Sequence, residues 1–207
     1  MTLATASIGA VLADALAHQY PGIGLRVESS DDLPFLSALY TGVRWQELAP
    51  ADWPEAAKRE FLDQQCRLQH AHYLQHYAGA EMLLITAAAP MLSAHAEATL
   101  DWPDPQSSER QLIGRIYLRR GATEIRLMDI ALLPCWQGKG IGQCLITSLQ
   151  QSGRAHALDI TLHVEPTNPA QRLYQRLGFA LIEQRGVYDF LGWQPVAWNE
   201  IVGAREA

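Results

Sequence analysis

The sequence predicts an α/β (α+β) protein, a mixed sheet with helices on both faces. Three observations lead there. The chain of 207 residues is 48% hydrophobic and 18% charged, enough apolar mass for one sizeable core. Its apolar residues switch between the two-residue repeat of strands and the 3.6-residue repeat of helices, in the order β-α-α-β-β-β-α-β-α-β-β after an N-terminal helix. Across residues 124–151 a strand runs into a glycine-rich loop and then a helix, a unit suited to holding an anion.

Residues 1–17 are apolar and alanine-rich, but they lack a basic leader and Asp14 interrupts them. They read as an amphipathic helix with Ile8, Val11, Leu12 and Leu16 on one stripe and Pro21-Gly22 as the stop, not as a signal peptide. Residues 1–23 are therefore expected as a helical extension to a domain spanning 24–207. Residues 24–28 alternate like a short strand, and Ser30, Asp31 and Asp32 offer helix-starting oxygens ahead of Pro34. Asp52 with Glu55 has the form of a capping box, opening a helix to about Tyr77 whose stripe is Phe61, Leu68, Ala71 and Leu74.

Residues 81–87 form a short apolar strand, while 89–110, with Pro90, Pro103 and Pro105, read as an insertion or long loop. Strands over 111–119 and 124–133 follow, joined through Arg120, Gly121 and Ala122 as a hairpin. After the glycine loop, Leu145, Ile146 and Leu149 mark a helix over 143–151. A strand at 159–165, a short helix at 169–177 stopped by Gly178, and strands at 180–183 and 187–192 complete the order.

A net charge of −6, with 16 scattered basic residues, leaves no cationic cluster for nucleic acid, and no run approaches the roughly 18 apolar residues of a membrane span. Cys66, Cys135 and Cys144 are odd in number and form no CxxC pair, so free thiols in a reducing cytoplasm are expected. His72 and His76 have the i,i+4 spacing of a metal clamp, but His70 points about 160° away from His72 on a helix. No metal is expected.

Gly138, Gly140 and Gly142 put side-chain-free residues where a helix begins, so backbone N–H groups can approach a phosphate or pyrophosphate. The absence of GxxxxGK[ST] excludes a P-loop. A dinucleotide fingerprint needs GxGxxG directly after the strand. Here the glycines read GxGxG and four residues, 134–137, intervene, although Asp159 could stand as the distal acid. A tight turn without a ligand is the other reading of this stretch taken alone.

The run Gln137-Gly-Lys-Gly-Ile-Gly142, preceded by Ile130-Ala-Leu-Leu-Pro134, resembles the Gln/Arg-x-x-Gly-x-Gly/Ala signature of the GNAT superfamily of acyl-CoA-dependent N-acyltransferases. A second block, Leu162-x-Val164, Asn168 and Leu173-Tyr174-Gln-Arg-Leu-Gly-Phe179, resembles that family's other signature. The resemblance covers residues 24–192. It implies the GNAT fold, with a mostly antiparallel central sheet, and transfer of an acetyl group from acetyl-CoA to a primary amine, with homodimerisation left open. A non-catalytic CoA-binding or scaffold protein of the same fold is the alternative.

By that resemblance, the backbone amides of Gln137, Gly138, Lys139, Gly140, Ile141 and Gly142 would hold the CoA pyrophosphate. Ile130, Ala131 and Leu132 would pair with the pantetheine arm, the Leu132 N–H would face the oxyanion, and Asn168 and Tyr174 would complete the CoA site. Tyr174 is the expected acid for the departing thiolate. His163, which shares a strand face with Thr161 and Glu165, is the expected base, with Asp129 and Glu165 in reserve. Arg126 stands where some relatives carry a general-base Glu. Tyr40, Arg44, Trp45, Tyr188 and Trp193 are expected on the acceptor side.

Overall fold

The computed structural model describes residues 7–88, 103–104 and 107–195. Expectations that fall on 1–6, on most of 89–110 and on 196–207 lie outside the described residues.

Helix α1 (Ile8–Gln19) starts where Ser7 accepts the Ala10 N–H and the Glu81 carboxylate accepts those of Ile8 and Gly9 at 3.1 and 2.8 Å. Two capping groups from different parts of the chain fix one helix end. Strand β1 (Ile23–Val27) leads through a single 3-10 turn (Ser30–Asp32) into α2 (Leu33–Arg44). There the buried Asp32 accepts the Ser29 N–H at 2.7 Å and a two-pronged bond from Arg26 at 2.6 and 2.8 Å. Helix α3 (Glu55–His76) begins directly after Pro54, whose extended backbone occupies the cap position. Asp52 is thereby two residues out of register, and the expected capping box does not form.

The face of α3 also corrects expectation. Leu62 and Cys66 are buried, with Gln69, His70 and Tyr73 following on the same side, whereas Leu68 and Leu74 are 58% and 61% exposed. The helix meets polar groups of the sheet, so its inward stripe is partly polar and hydrophobicity alone selects the wrong one.

Strands β2 (Glu81–Ala88), β3 (Pro103–Asp104), β4 (Ser107–Arg120) and β5 (Glu124–Leu132) follow. β4 therefore starts inside the expected loop. Its ladder with β2 continues to Arg110, whose guanidinium also bonds Thr86 and the Gly22 carbonyl at 2.8 and 3.0 Å. After a 3-10 turn (Pro134–Trp136) come α4 (Ile141–His156), β6 (Asp159–Val164), α5 (Gln171–Arg176), β7 (Ala180–Arg185) and β8 (Tyr188–Trp193).

The strands order as β1-β2-β4-β5-β6-β8-β7, with β3 beside β4, and only the β5–β6 pair is parallel. Helix α1 packs along α4, and α2 packs along α3 over the other face. Ile8, Leu12 and Leu16 of α1 belong to the same hydrophobic cluster as Leu145 and Leu149 of α4. The helix expected as an extension thus shares the core of the sheet.

One irregularity shapes the rest. β5 pairs with β6 only over 124–127, while residues 129–132 pair with β4 alone. At the divergence the β4 register steps from Tyr117↔Asp129 to Leu118↔Leu127, leaving Met128 as an extra residue. Such a bulge bends its strand, and here the two parallel strands part into an open wedge.

Candidate active site

One wall of the wedge is the unpaired edge of β5. Leu133 N–H bonds Ile113 on β4, so by antiparallel alternation Leu132 and Ile130 turn their N–H and C=O groups toward the gap. Gln137 Nε2 donates to the Leu132 carbonyl at 2.9 Å, which ties the following loop to this edge. Gly138 and Gly140 have φ of +71° and +85°, left-handed conformations that a side chain would strain. Gly140 caps α4, whose first turn carries no acidic residue, so the helix presents free amides and an uncompensated positive dipole end. Such a helix end favours an anion.

Tyr20, at the end of α1, braces the loop by donating to the Lys139 carbonyl at 3.1 Å. A Cβ on Gly140 would lie 2.5 Å from the same hydroxyl oxygen. No motif in the sequence pointed to Tyr20, because its partner lies 119 residues away.

The rest of the site is built of side chains on α5 and on the sheet face beside that edge. Tyr174 of α5 is 5% exposed, with its ring 5.6 Å from that of Phe179. Burial, and then the negative charge of Asp129, hold its hydroxyl pKa above the ordinary tyrosine value. Asp129 follows the bulge. Its Oδ2 accepts from Arg115 at 2.7 Å and lies 3.4 Å from the Tyr73 hydroxyl, and Oδ1 has no partner among the described residues. The Arg115 side chain is 3% exposed and also donates to Gln69 at 2.8 Å. Beside them Glu28 accepts from the Tyr117 hydroxyl and lies 2.6 Å from His70 Nε2. Hydropathy patterns gave no hint of this network, which α3 closes over β4 and β5.

His163 lies on the same sheet face, more exposed. Arg126 donates to its Nδ1 at 2.9 Å, so the neutral ring carries its proton on Nε2. Burial, then the charges of Arg126 and Arg185, lower the imidazole pKa, which keeps the ring neutral. The lone pair a base would use is therefore already engaged. Glu165, the other reserve, is paired with Arg44 at 2.7 Å, and Arg44 also reaches Glu47 at 2.8 Å and lies over the Tyr40 ring. Asn168 turns its Oδ1 to the Ala170 N–H at 2.9 Å and shapes the entry to α5.

Trp193 lies elsewhere. It is buried against Gly153 and Gly178, with Arg154 over its ring, on the α4 face and away from the acceptor side, because it alternates with Gly192 along β8. Tyr188 is exposed beside His163, and Trp45 lies beneath Arg59. The His72 and His76 rings lie 4.5 Å apart at a tilt of 42°, while His70 turns inward to Glu28. Among the described residues no group of three or more His, Cys, Asp and Glu is placed to hold a metal ion, and no helix is long and apolar enough to cross a membrane.

Residues 106–199 match the family model for the acetyltransferase (GNAT) domain. No curated protein sequence matches the chain. Among solved structures, the PaiA N-acetyltransferase of Thermoplasma acidophilum in complex with coenzyme A is similar at 19% identity, with 83% of this chain and 98% of that one covered and a TM-score of 0.53. An acetyltransferase of Thermus thermophilus aligns at 15% identity over 83% and 96% of the two chains, with a TM-score of 0.54. A nucleotide-linked sugar GNAT, FdhC, aligns at 11% identity over 89% and 94%, with a TM-score of 0.51. The matched segment runs through the glycine loop, α4, α5 and the closing strands, and the whole wedge-shaped sheet shares the fold of these solved acetyltransferases.

Proposed function

We propose that the protein is an N-acetyltransferase that moves the acetyl group of acetyl-CoA to a primary amine by direct attack. The observation that carries the reading is the free edge of β5 meeting a left-handed glycine loop at one end, with Asp129 and Tyr174 flanking the gap. The backbone of residues 137–142 holds the pyrophosphate, and the Ile130–Leu132 edge, with Ala131 between its two outward-facing residues, pairs with the pantetheine arm as an added strand. The Leu132 N–H donates to the thioester oxygen as charge develops there. Three free cysteines, two of them buried, suit a reducing cytoplasm.

In this scheme Asp129 accepts the proton that the ammonium must lose, directly or through a water, at the oxygen its neighbours leave open. The amine nitrogen then bonds to the carbonyl carbon, the carbon–sulfur bond breaks, and Tyr174 gives its proton to the leaving thiolate. The second proton, shed by the nitrogen as the amide forms, restores the Tyr174 hydroxyl through water. A hydroxyl whose pKa is pushed up stays protonated at neutral pH, as an acid needs. His163 supports the acceptor side as a hydrogen-bond donor.

Release of free thiol from acetyl-CoA across a panel of primary amines tests the proposal. Amine-dependent release supports it. Tight CoA binding without release from any amine would favour the non-catalytic CoA-binding or scaffold reading.

A further inference from the structure

We propose that the acceptor carries an anionic group, a carboxylate or a phosphate, beside its amine, and that Arg126, Arg185 and His163 bind it. This rests on the acetyl-transfer reading and names the substrate class of that site. Cross-strand pairing puts the three on one surface: Arg126 faces Thr161 between β5 and β6, and His163 faces Phe190 between β6 and β8. The bulge at Met128 brings Asp129 to the same side of β5 as Arg126, so the cluster borders the wall where the amine is deprotonated.

The cluster is built around one ring. Arg126 and Arg185 hold their guanidinium carbons 4.9 and 4.0 Å from the centroid of Phe190, and the His163 ring lies 5.0 Å from it. Arg126 is fixed by neutral acceptors, the Thr161 hydroxyl and His163 Nδ1, both at 2.9 Å. Among the described residues Arg26, Arg44, Arg67, Arg115 and Arg185 each meet a carboxylate directly. Arg126 has no such partner among the described residues. Glu124 is one hydroxyl removed, accepting from Thr161 at 2.6 Å.

Arg185 gives only its Nε to Glu183, at 2.8 Å, so its two terminal nitrogens remain for a ligand. His163 adds the N–H on Nε2. Arg119 stands directly opposite Arg126 on β4, and like charges at that position destabilise a sheet. An anion seated there would relieve the repulsion and take a forked bond from planar donors. Asp189 on β8 is already occupied by Gln171 at 2.8 Å.

Three probes test this: β-alanine, O-phosphoethanolamine and neutral β-alaninamide. The readout is kcat/KM from thiol release, with calorimetric binding to the CoA complex alongside. We expect at least one acidic amine to be preferred over the amide by about tenfold, the scale of one charge-assisted fork. That ratio should fall toward one in Arg126→Gln, and less in Arg185→Gln, with the KM for acetyl-CoA kept. The two acidic probes separate carboxylate from phosphate. Equal use and equal binding of all three, or an Arg126→Gln loss that is the same on acidic and neutral amines, would overturn the inference while leaving acetyl transfer intact. Preferential binding of an acidic probe with no thiol release from any amine would uphold the anion site and defeat the transfer reading.

Discussion

The donor wall of the wedge, the main-chain edge of β5 with the loop at 137–142, presents mostly main chain; the acceptor wall, the sheet face from Asp129 of that same strand to Phe190, presents side chains held by other side chains. A ligand read by amides depends on backbone path, which a few glycines and a bulge determine. A ligand read by Arg126, His163 and Asp129 depends on contacts between strands and helices far apart in sequence. The donor wall should therefore tolerate loss of a side chain and fail when the backbone is altered. The acceptor wall should do the reverse.

The largest expected break is Tyr174→Phe, which removes the proton donor and little else. Turnover should drop by about 100-fold, the lower range for a general acid, while calorimetric CoA affinity stays unchanged. An unchanged rate would remove Tyr174 from the mechanism. Next is Gly140→Ala. Its φ of +85° and the Tyr20 hydroxyl 2.5 Å from the new Cβ should weaken CoA binding by about tenfold, from a conformational cost of about 1–2 kcal/mol. Lys139→Ala in the same loop should change affinity only about two- to threefold, as expected for an exposed charge. If Lys139 mattered more than Gly140, the backbone account of the donor wall would be wrong.

The smallest effect concerns pH. Burial acts to raise the Asp32 pKa, but the bonds from Arg26 and Ser29 outweigh it and leave the value below the ordinary 3.8. The stabilisation is therefore complete above 3.8 and is lost as pH falls through the lower folded-state value. Acid unfolding followed by circular dichroism should show a shallower low-pH decline in Asp32→Asn. An identical decline in both proteins would show that this group carries no part of the acid response.

The same contrast explains what was legible in the sequence. Gln137 to Gly142, the strand before it and the block around Tyr174 could be read because backbone geometry needs particular residues at fixed local spacing. The element order was legible for the same reason. The buried face of α3 is not legible because Gln69, His70 and Tyr73 turn inward to meet Arg115, Glu28 and Asp129, partners that no local pattern reveals. The Asp52 capping box failed because Pro54 starts the helix, and β4 ran further back because Arg110 continues its ladder. Tyr20 and the Phe190 cluster were invisible to local spacing, since each joins segments that meet only in the folded sheet.

The central claim, that this wedge and loop form a CoA site, is tested most directly by thermal unfolding with and without CoA. At a concentration 100 times its Kd, CoA should stabilise the protein by about 2.7 kcal/mol, and NAD at the same concentration should leave the transition where it was. No shift with CoA, or an equal shift with NAD, would contradict the account.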